Sequence, residues 1–563
     1  RSQAEIWFRR LLLARDDWMG RVGLHHGSLD RDTRRSLEAM LRTGEGQSES
    51  ADNALKCVVC TSSLDLGVDF APVDQVIQVG SPKGVARLMQ RAGRSGHQPG
   101  RTSVIVGVPT HAFELVEFAA ARDAIDAKHL ESREPIDCPL DVLVQHLVTI
   151  AAAGGFDDDA MLAEVRTAHA YRELSDEAFQ WALDFVSRGG PALSAYEKYA
   201  RVSPGEQGRR IAHEPMARAH RMGIGTITGD QAIQLKYASG RNVGTIEESF
   251  ISRLAPGDRF VFGGKVLELL RIRGLDAIVA RSSKRSGAIP RWQGSRMPLS
   301  TKLAAAVRER LGLAHRGEYT GPEMQHARPL LELQKEVSRM PRPGVLVIER
   351  IKTRLGWHAF VYTFAGRLAH EGLAPLLGSR VTQRRTMTIT TTQNDYGVEL
   401  LADDELPATE AEWREVLSPN NLLDDLLRAM NQGEMARRAF RDVARVAGLT
   451  QPGLPGRQST GRQLQASSDM FYDVLSEFDP ENLLLDQARR EVLEGQLEVR
   501  RLAETLEDAQ HMSIELVELP TMSPMAFPLY TERIRATHLS SASWESRVRE
   551  MVVELEQAAG GAP

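Results

Sequence analysis

Three short apolar runs near the start of the chain constrain its fold more than any other feature of the sequence. They are LKCVVC at 55–60, VDQVIQV at 73–79 and TSVIVGV at 102–108. Each resembles a strand of a parallel sheet that is covered on both faces. The helical pattern GVARLMQRAG at 84–93 lies between the second run and the third. Strands that alternate with helices indicate a parallel sheet, so residues 1–130 are predicted to form an α/β domain.

The pattern changes twice farther along the chain. Between 131 and 212 it is helical, and the segment DVLVQHLVTIAAAGG at 141–155 carries an apolar stripe with helical spacing that stops at paired glycines. A winged-helix domain and a plain helical linker domain both fit this pattern. Residues 213–563 form the third predicted unit, an α+β domain. Short, glycine-rich, alternating segments at its start predict a small β-barrel-like sheet, and helices with a few strands follow.

Composition and charge exclude several classes of protein. A net charge of −5 over 563 residues argues against a uniformly basic surface, so any polyanion site must be local. Three cysteines are too few for a disulfide framework and predict a reducing, cytoplasmic setting. No apolar run approaches the roughly 20 residues needed to cross a bilayer, so no membrane partner is expected. Cys57 and Cys60 lie inside a predicted strand without a second pair, so we predict no metal site.

The segment QRAGRSGH at 90–97 places two arginines three positions apart between glycines. On a helix, Arg91 and Arg94 would lie on one side and converge on one anion, and the planar guanidinium group suits phosphate. A surface helix with solvated arginines is the simpler interpretation of an isolated R-x-x-R pattern. Two neighbouring motifs favour the anion site. They are GLHHGSLD at 23–30 and CTSSLDLGVDF at 60–70, both predicted to lie at the rim of the sheet.

The second of these motifs offers groups that suit a nucleic-acid backbone. Thr61 and Ser62 follow an apolar strand and present hydroxyls and backbone N–H groups to a phosphate. Asp69, two positions after Gly67, is placed to bond a ribose hydroxyl or to orient an arginine. A capped turn that leads into a short helix is the alternative. In the first motif, His26 lacks the spaced partners of a metal site and is interpreted as a strand-contacting or backbone-facing residue.

A basic segment at 271–296 is the second region that points to nucleic acid. It holds seven Arg or Lys residues against the single acidic residue Asp276, and it ends in PRWQG. Arg291 and the other cations would contact phosphates, while Trp292 would stack on a base, a contact worth about 1–3 kcal/mol. The alternative is that Trp292 fills the interior of the predicted barrel.

Together with the opening RSQAE, the three motifs resemble motifs IV to VI of superfamily 2 helicases. More narrowly, residues 60–97 followed by PLDVLVQHL at 139–147 are similar to the Lhr (large helicase-related) family, and within it to the ligase-associated DEXH-box helicases of bacteria. The resemblance implies that residues 1–130 form a second RecA-like domain of the P-loop NTPase type. It further implies a winged-helix domain at 131–212 and an Lhr-type C-terminal domain at 213–563.

The resemblance also implies roles for individual residues. Arg91 and Arg94 would act on the γ-phosphate of ATP, with Gln90 facing the nucleotide. Gly67 and Asp69 would line the same interdomain cleft. The residues that would contact the translocated nucleic-acid strand are His26, Ser28, Thr61, Ser62, Ile224, Arg291 and Trp292.

The sequence departs from the helicase pattern in one respect. It contains no G-x-x-x-x-G-K-[ST] loop and no D-E-x-H box in 563 residues. The phosphate-binding lysine, the magnesium-binding hydroxyl and the Walker B carboxylates are therefore missing. ATP and Mg²⁺ are expected to be bound mainly by a first RecA-like domain ahead of this chain. The chain is interpreted as a C-terminal fragment that does not hydrolyse ATP by itself.

The resemblance thus implies part of an ATP-dependent, 3′-to-5′ single-strand DNA translocase and helicase. Its implied duplexes are DNA and RNA:DNA hybrids, its implied setting is DNA repair in a bacterial cytoplasm, and DNA ligase and nuclease are its implied partners. The alternative is a non-catalytic nucleic-acid-binding protein that keeps a degenerate RecA-like scaffold. A phosphotransferase that uses only these motifs ranks lower, because the motifs supply neither a catalytic base nor metal ligands.

Overall fold

The fold is taken from a computed structural model of the chain, which describes four successive units. The described residues are 1–43, 55–65, 73–96, 100, 102–131, 136–205, 208–211, 213–226, 232–247, 256–262, 265–273, 276–282, 298–429, 432–450, 453–454, 457–458 and 461–537. Within these ranges, no helix combines the length and the apolar character needed to cross a membrane.

The first unit is an α/β layer. Its elements are α1 (Ser2–Ala14), β1 (Val22–His25), α2 (Arg31–Thr43), β2 (Cys57–Cys60), β3 (Val76–Val79), α3 (Val85–Ala92), β4 (Ile105–Val108) and α4 (Ala112–Asp126), with 3-10 turns at Asp16–Trp18 and Ser62–Leu64. Strand β1 pairs with β2, and β3 pairs with β4, both in parallel. The predicted parallel α/β arrangement is therefore confirmed in its strand directions.

The strands of this unit are less covered than the sequence predicts. Ile77 on β3 and its register partner Val106 on β4 are both exposed, and no residue of β2 is fully buried. The expectation of strands buried on both faces is wrong at these positions. Among the described residues the two strand pairs are not joined into one sheet, so each strand has a single neighbour and leaves apolar side chains in water.

The second unit is a helical domain with one hairpin. Its elements are α5 (Leu140–Ala153), α6 (Asp158–Val165), α7 (Asp176–Arg188), α8 (Gly190–Leu193), β5 (Val202–Gly205), β6 (Gly208–Ile211) and α9 (Glu214–Gly223), with 3-10 turns at His169–Tyr171 and Glu197–Tyr199. Gly154 caps the end of α5, and Gly189, in a left-handed conformation, caps α7. Helices followed by an antiparallel hairpin favour the winged-helix interpretation over a plain helical linker.

The third unit is a five-stranded sheet, and it corrects one prediction. Its strands are β7 (Ala232–Tyr237), β8 (Asn242–Glu247), β9 (Arg259–Phe262), β10 (Lys265–Arg273) and β11 (Asp276–Arg281), in the order β8-β7-β11-β10-β9. No described pairing joins β8 to β9, so the sheet is open rather than barrel-like. The physical reason lies at β8, where Gly244 bridges to Leu29 and Thr245 N donates to Ser28 O at 2.7 Å. The first unit therefore occupies an edge that a closed barrel would have to pair.

The fourth unit surrounds a second five-stranded sheet. Its helices are α10 (Thr301–His315), α11 (Pro322–Val337), α12 (Arg367–Arg384), α13 (Glu410–Val416), α14 (Leu422–Ala429), α15 (Gln432–Val446), α16 (Gly461–Phe478), α17 (Leu483–Glu491), α18 (Val499–His511) and α19 (Ala526–Thr537), with a π-helical turn at Val492–Gln496. Its strands are β12 (Val345–Thr353), β13 (Gly356–Val361), β14 (Ile389–Gln393), β15 (Val398–Ala402), β16 (Gly453–Leu454), β17 (Arg457–Gln458) and β18 (Ser513–Glu518). The sheet order is β14-β15-β13-β12-β18, and only the β12–β18 pairing in it is parallel.

The first and fourth units share one hydrophobic core. Helix α4 carries four buried alanines, and their small side chains let α10 and α11 approach its backbone closely. Val85 and Leu88 of α3 belong to the same core. Full burial of each such aliphatic side chain stabilises the fold by about 1.5–3 kcal/mol. Helix α3 is therefore anchored to the fourth unit as well as to its own sheet.

Candidate functional site

Arg91 lies in the last turn of α3, and two groups of its own unit hold its guanidinium. Its Nε donates to Asp65 Oδ2 at 2.9 Å, and its Nη1 donates to Gln78 Oε1 at 2.7 Å. Asp65 follows the turn after β2, and Gln78 lies on β3, so Arg91 joins two strands at one rim of the layer. Hydrogen bonds to charged groups contribute about 1.5–3 kcal/mol each. Asp65 and Gln78 were not among the predicted site residues, although Asp65 stands inside the motif at 60–70 and Gln78 in the apolar run at 73–79.

Arg94 lies just beyond the helix rather than on it. Helix α3 ends at Ala92, and Gly93 caps it in a right-handed helical conformation, so the two arginines are related by a turn in which Arg94 N donates to Arg91 O at 3.0 Å. The Arg94 side chain is half-buried. At Gly96, φ is +62° and an added Cβ would stand 2.6 Å from the Thr102 carbonyl oxygen. Only glycine fits this close approach of the backbone.

The hydroxyl-rich turn after β2 lies at the same rim. Ser62 is exposed and begins the 3-10 turn, and its carbonyl accepts from Asp65 N at 3.1 Å. Thr61 is half-buried, and its Oγ1 lies 3.3 Å from Ser63 Oγ. Gln90 is exposed on α3. Asp65 thus connects the turn that carries Ser62 to Arg91. A site shared by these residues stays a prediction.

His26 and Ser28 follow β1, whose last residue His25 accepts from Thr61 N at 3.2 Å. Both residues are covered there by the junction with the open sheet. His26 is completely buried, with Nε2 3.2 Å from Glu5 Oε1 and its ring edge-on to Phe262. Ser28 is 3% exposed. A nucleic-acid strand reaches either side chain only if the junction with β8 opens, so their contact with the strand stays a prediction.

Ile224 is presented to solvent on a tightly held segment. Its side chain is 49% exposed directly after α9. Gln145 of α5 forms hydrogen bonds with both backbone groups of Gly225, the residue after Ile224. Gly225 N donates to Gln145 Oε1 at 3.1 Å, and Gln145 Nε2 donates to Gly225 O at 3.2 Å. The same Nε2 donates to Val446 O at 2.9 Å, which ties the segment to α15. Sequence reasoning missed Gln145; its signal was a polar residue inside an apolar helical stripe.

Helix α5 also holds α9 through His220, a half-buried residue of α9. Thr149 Oγ1 of α5 lies 2.8 Å from His220 Nε2. Burial lowers the pKa of His220 to about 4, and the nearby Arg201 and Arg221 charges add to this effect. His220 is therefore neutral at physiological pH, and the end of α9 gains no extra positive charge from it.

Four predicted site residues, Gly67, Asp69, Arg291 and Trp292, lie outside the described residues, and their roles stay predictions. In the part of the chain that the structure describes, no three His, Cys, Asp or Glu side chains are grouped to hold an ion. Burial raises the pKa of the Cys57 thiol, which keeps it protonated at neutral pH.

Three family models match successive parts of the chain. The helicase conserved C-terminal domain matches residues 2–98, the winged helix domain of large helicase-related protein matches 123–289, and the DEAD/H associated family matches 340–526. The three matches follow one another in the order of the units described above.

Curated relatives match over most of the chain. ATP-dependent helicase Lhr-Core protein 2 of Thermococcus barophilus is 30% identical over 532 residues, which cover 90% of this chain and 60% of that protein. ATP-dependent helicase Lhr-Core of Methanothermobacter thermautotrophicus is 29% identical over 561 residues, covering 95% of this chain and 62% of that protein. The chain thus spans less than two thirds of the length of either relative.

A solved structure shows the same fold. It is that of Mycobacterium smegmatis helicase Lhr bound to ssDNA and AMP-PNP, which is 26% identical with a TM-score of 0.69. The similarity covers 94% of this chain and 65% of that one.

Proposed function

This chain belongs to the Lhr (large helicase-related) family, and we propose that it supplies the second RecA-like half of an ATP-dependent, 3′-to-5′ single-strand DNA translocase. The observation that carries the proposal is the convergence of Arg91, Asp65 and the hydroxyl-bearing turn after β2 at one rim. Fixed guanidinium groups beside exposed hydroxyls are what a site shared by a nucleotide phosphate and a nucleic-acid backbone needs.

The residues present fit one half of an ATP site. Arg91 and Arg94 are the groups that would hold the γ-phosphate, whose transfer to water is the chemistry that ATP supplies when bound. Asp65 holds the Arg91 guanidinium in place, and a phosphate oxygen would compete with its carboxylate for the same donors. The residues present do not fit Mg²⁺, because the sequence lacks the Walker A hydroxyl and the Walker B carboxylates that would bind it. We therefore infer that this chain does not hydrolyse ATP without a partner domain.

The strand is proposed to run from the turn after β2 to Ile224 and Trp292. Thr61 and Ser62 would bond its phosphates, while Ile224 and Trp292 would contact its bases. Closure of the two RecA-like domains around ATP would then move Thr61 and Ser62 relative to the bases that Trp292 holds. Unwinding of DNA or RNA:DNA duplexes, and association with a ligase or nuclease, follow from the family resemblance and stay predictions.

The test measures ATP turnover with and without single-stranded DNA. One sample is the 563-residue chain, and the other is the same chain extended at Arg1 by its upstream reading frame. We expect turnover only in an extended protein that carries a Walker A loop. There Arg94→Ala should lower kcat by about 10³-fold or more, and Arg87→Ala, on the helix that precedes Arg94, is the matched control. Turnover by the chain alone, or normal turnover in the Arg94 variant, contradicts the proposal.

One observation favours the second candidate, a non-catalytic nucleic-acid-binding protein. Arg91 is already paired with Asp65 of its own unit, as it would be in a scaffold that never meets a nucleotide. Measuring DNA affinity beside ATP turnover, on the same proteins, distinguishes the two candidates. A binder retains its affinity for single-stranded DNA, shows no turnover in any extended form, and loses no DNA affinity in the Arg94→Ala variant.

A further inference from the structure

The helix that carries Arg91 has an unusual cap at its other end. Its N-cap residue is Gly84, which has no side chain to satisfy the free N–H groups of the first turn. Glu131 does this from a distance: its Oε1 accepts from Val85 N at 2.6 Å, and its Oε2 accepts from Ala86 N at 2.7 Å. The carboxylate also complements the positive end of the helix dipole. The start of α3 therefore depends on a residue 46 positions from Val85.

Ser300 connects this cap to the fourth unit. Its Oγ donates to Glu131 Oε1 at 2.6 Å, and its backbone N donates to Lys83 O at 3.0 Å. The same Oγ accepts from Leu303 N and so caps α10. Burial alone raises the pKa of Glu131, but the hydrogen bonds from Ser300 and from the α3 amides outweigh burial and lower it, so Glu131 is charged at neutral pH. One serine thus ties the first turns of two helices from different units.

Lys83 makes a second connection at the same place. Its Nζ lies 3.2 Å from Glu117 Oε1 and 3.1 Å from Asp395 Oδ2, so it bridges α4 to the fourth unit. Asp395 in turn accepts from Leu299 N through Oδ1 at 2.9 Å. The backbone of Lys83 has φ +60°, a left-handed conformation that costs a non-glycine residue about 1–3 kcal/mol. The contacts on both sides of the α3 start hold this strained residue in place.

The surroundings make these contacts strong. Glu117 is completely buried, and the hydroxyl of Tyr396 also donates to it. The Tyr396 ring packs against Phe113 of α4 and against Phe364. Burial lowers the pKa of Lys83, but the charges of Glu117 and Asp395 outweigh burial and raise it, so the bridge is ionic at neutral pH. Ion pairs in water-poor surroundings respond strongly to the loss of one partner.

We propose that Lys83, Glu131, Ser300 and Asp395 are positioning residues for Arg91, through which docking of residues 298–537 sets where the guanidinium stands. The proposal rests on the function proposed for Arg91. Helix α3 has eight residues and contains neither glycine nor proline. A helix of this length is about 12 Å long and moves as a rigid rod, so a shift at its first turn appears at Arg91 in its last. The fourth unit thereby acts on Arg91 through the start of helix α3.

The first test uses the 563-residue chain and needs no enzymatic activity. Hydrogen–deuterium exchange of the α3 amides is compared among wild type, Lys83→Met, Asp395→Asn and Arg310→Met. Asp395→Asn keeps the shape of the side chain and an acceptor for Leu299 while removing the charge. Arg310→Met is the matched control, because Arg310 forms an ion pair with Asp123 between α10 and α4, away from the start of α3.

We expect α3 amides to exchange about tenfold faster or more in Lys83→Met and Asp395→Asn, and to be unchanged in Arg310→Met. Lys83→Arg, which keeps the charge, should restore most of the protection. The proposal is overturned if α3 exchange stays at the wild-type value in both variants, or if Arg310→Met accelerates it equally. In the second case, the loss of any contact between the two units would destabilise α3 equally, and the contacts at the start of α3 would have no special role.

The second test measures kinetics in an extended protein that hydrolyses ATP. A positioning role predicts that Asp395→Asn lowers kcat severalfold while the KM for ATP changes less than twofold, because Asp395 pairs with Lys83 at the start of α3 and would act only through Arg91. Equal changes in kcat and KM, or no change, overturn it. If the wild-type extended protein shows no turnover, the proposed function fails by itself. The exchange data then still decide whether the fourth unit holds α3.

Discussion

Replacing Ile224 by alanine tests the proposed DNA path at a described residue. Complete burial of an isoleucine side chain stabilises by about 1.5–3 kcal/mol, so covering the 49% that is exposed in the free chain is worth about 0.7–1.5 kcal/mol. Ile224→Ala removes most of this surface. At about 1.4 kcal/mol per factor of ten, the variant should bind single-stranded DNA about three- to twelvefold more weakly.

The assay is fluorescence anisotropy with a labelled oligothymidylate and the 563-residue chain at several salt concentrations. An apolar contact releases no counterions, so the slope of log Kd against log salt should match that of wild type. Met222→Ala is the control, because Met222 is 40% exposed only two residues away. Gln145→Leu removes the hydrogen bonds that hold Gly225 but keeps the Ile224 side chain. Because Ile224 is then no longer held in position, this variant should lose as much DNA affinity as Ile224→Ala.

Three results would count against this reasoning. Unchanged affinity in Ile224→Ala would place the strand elsewhere. An equal loss in Met222→Ala would show that the surface responds to any lost apolar area rather than to a side chain held in position. A reduced salt slope in Ile224→Ala would mean that the substitution had disturbed phosphate contacts.

Further predictions concern Trp292, Asp65 and His370. Trp292→Ala should weaken binding of single-stranded DNA by about 1–3 kcal/mol and, in an extended protein, reduce strand displacement more than ATP hydrolysis; equal losses would contradict a stacking role. Asp65→Asn removes the charged acceptor of Arg91 and should lower the free energy of unfolding, measured in urea, by about 2 kcal/mol, an expectation that an unchanged urea midpoint would disprove. Burial lowers the pKa of His370 from 6.5 to about 4, so folding favours its neutral form. Its contribution to stability is complete above pH 6.5 and declines as pH falls towards 4; the loss at pH 5 is about 2 kcal/mol. Denaturation at pH 7 and pH 5 should show a shallower pH dependence in His370→Gln than in wild type, and equal dependence would refute the assignment.

Local signals predicted the elements that depend on neighbours in sequence. The apolar runs became β2, β3 and β4, and the arginine motif formed α3 with a glycine-dependent turn behind it. Gly154 and Gly189 end α5 and α7 because glycine tolerates the backbone conformations that stop a helix. Each of these outcomes depends on only a few consecutive residues.

Long-range contacts explain what the sequence left out. Glycine-rich alternation predicts strands but does not say whether their sheet closes into a barrel. The sheet stays open because Ser28 and Leu29 occupy the edge of β8. Asp65 stands in the motif at 60–70, yet only the fold shows that its carboxylate accepts a hydrogen bond from Arg91. Ser300 and Glu131 are 169 positions apart, and no periodicity links them. Residue types and motifs therefore pointed to candidate residues such as Arg91, whose role stays a prediction, whereas the long-range contacts that hold them could not be predicted.

The parallel pairing of β12 with β18 has a consequence for biosynthesis. Val345 is in register with Ser513, and Arg350 with Glu518. While a ribosome makes this protein, the nascent sheet waits with an open edge until the codons for β18 have been translated and the segment has left the exit tunnel. During that interval, the unpaired edge of β12 is a binding site for a chaperone that shields apolar strand edges.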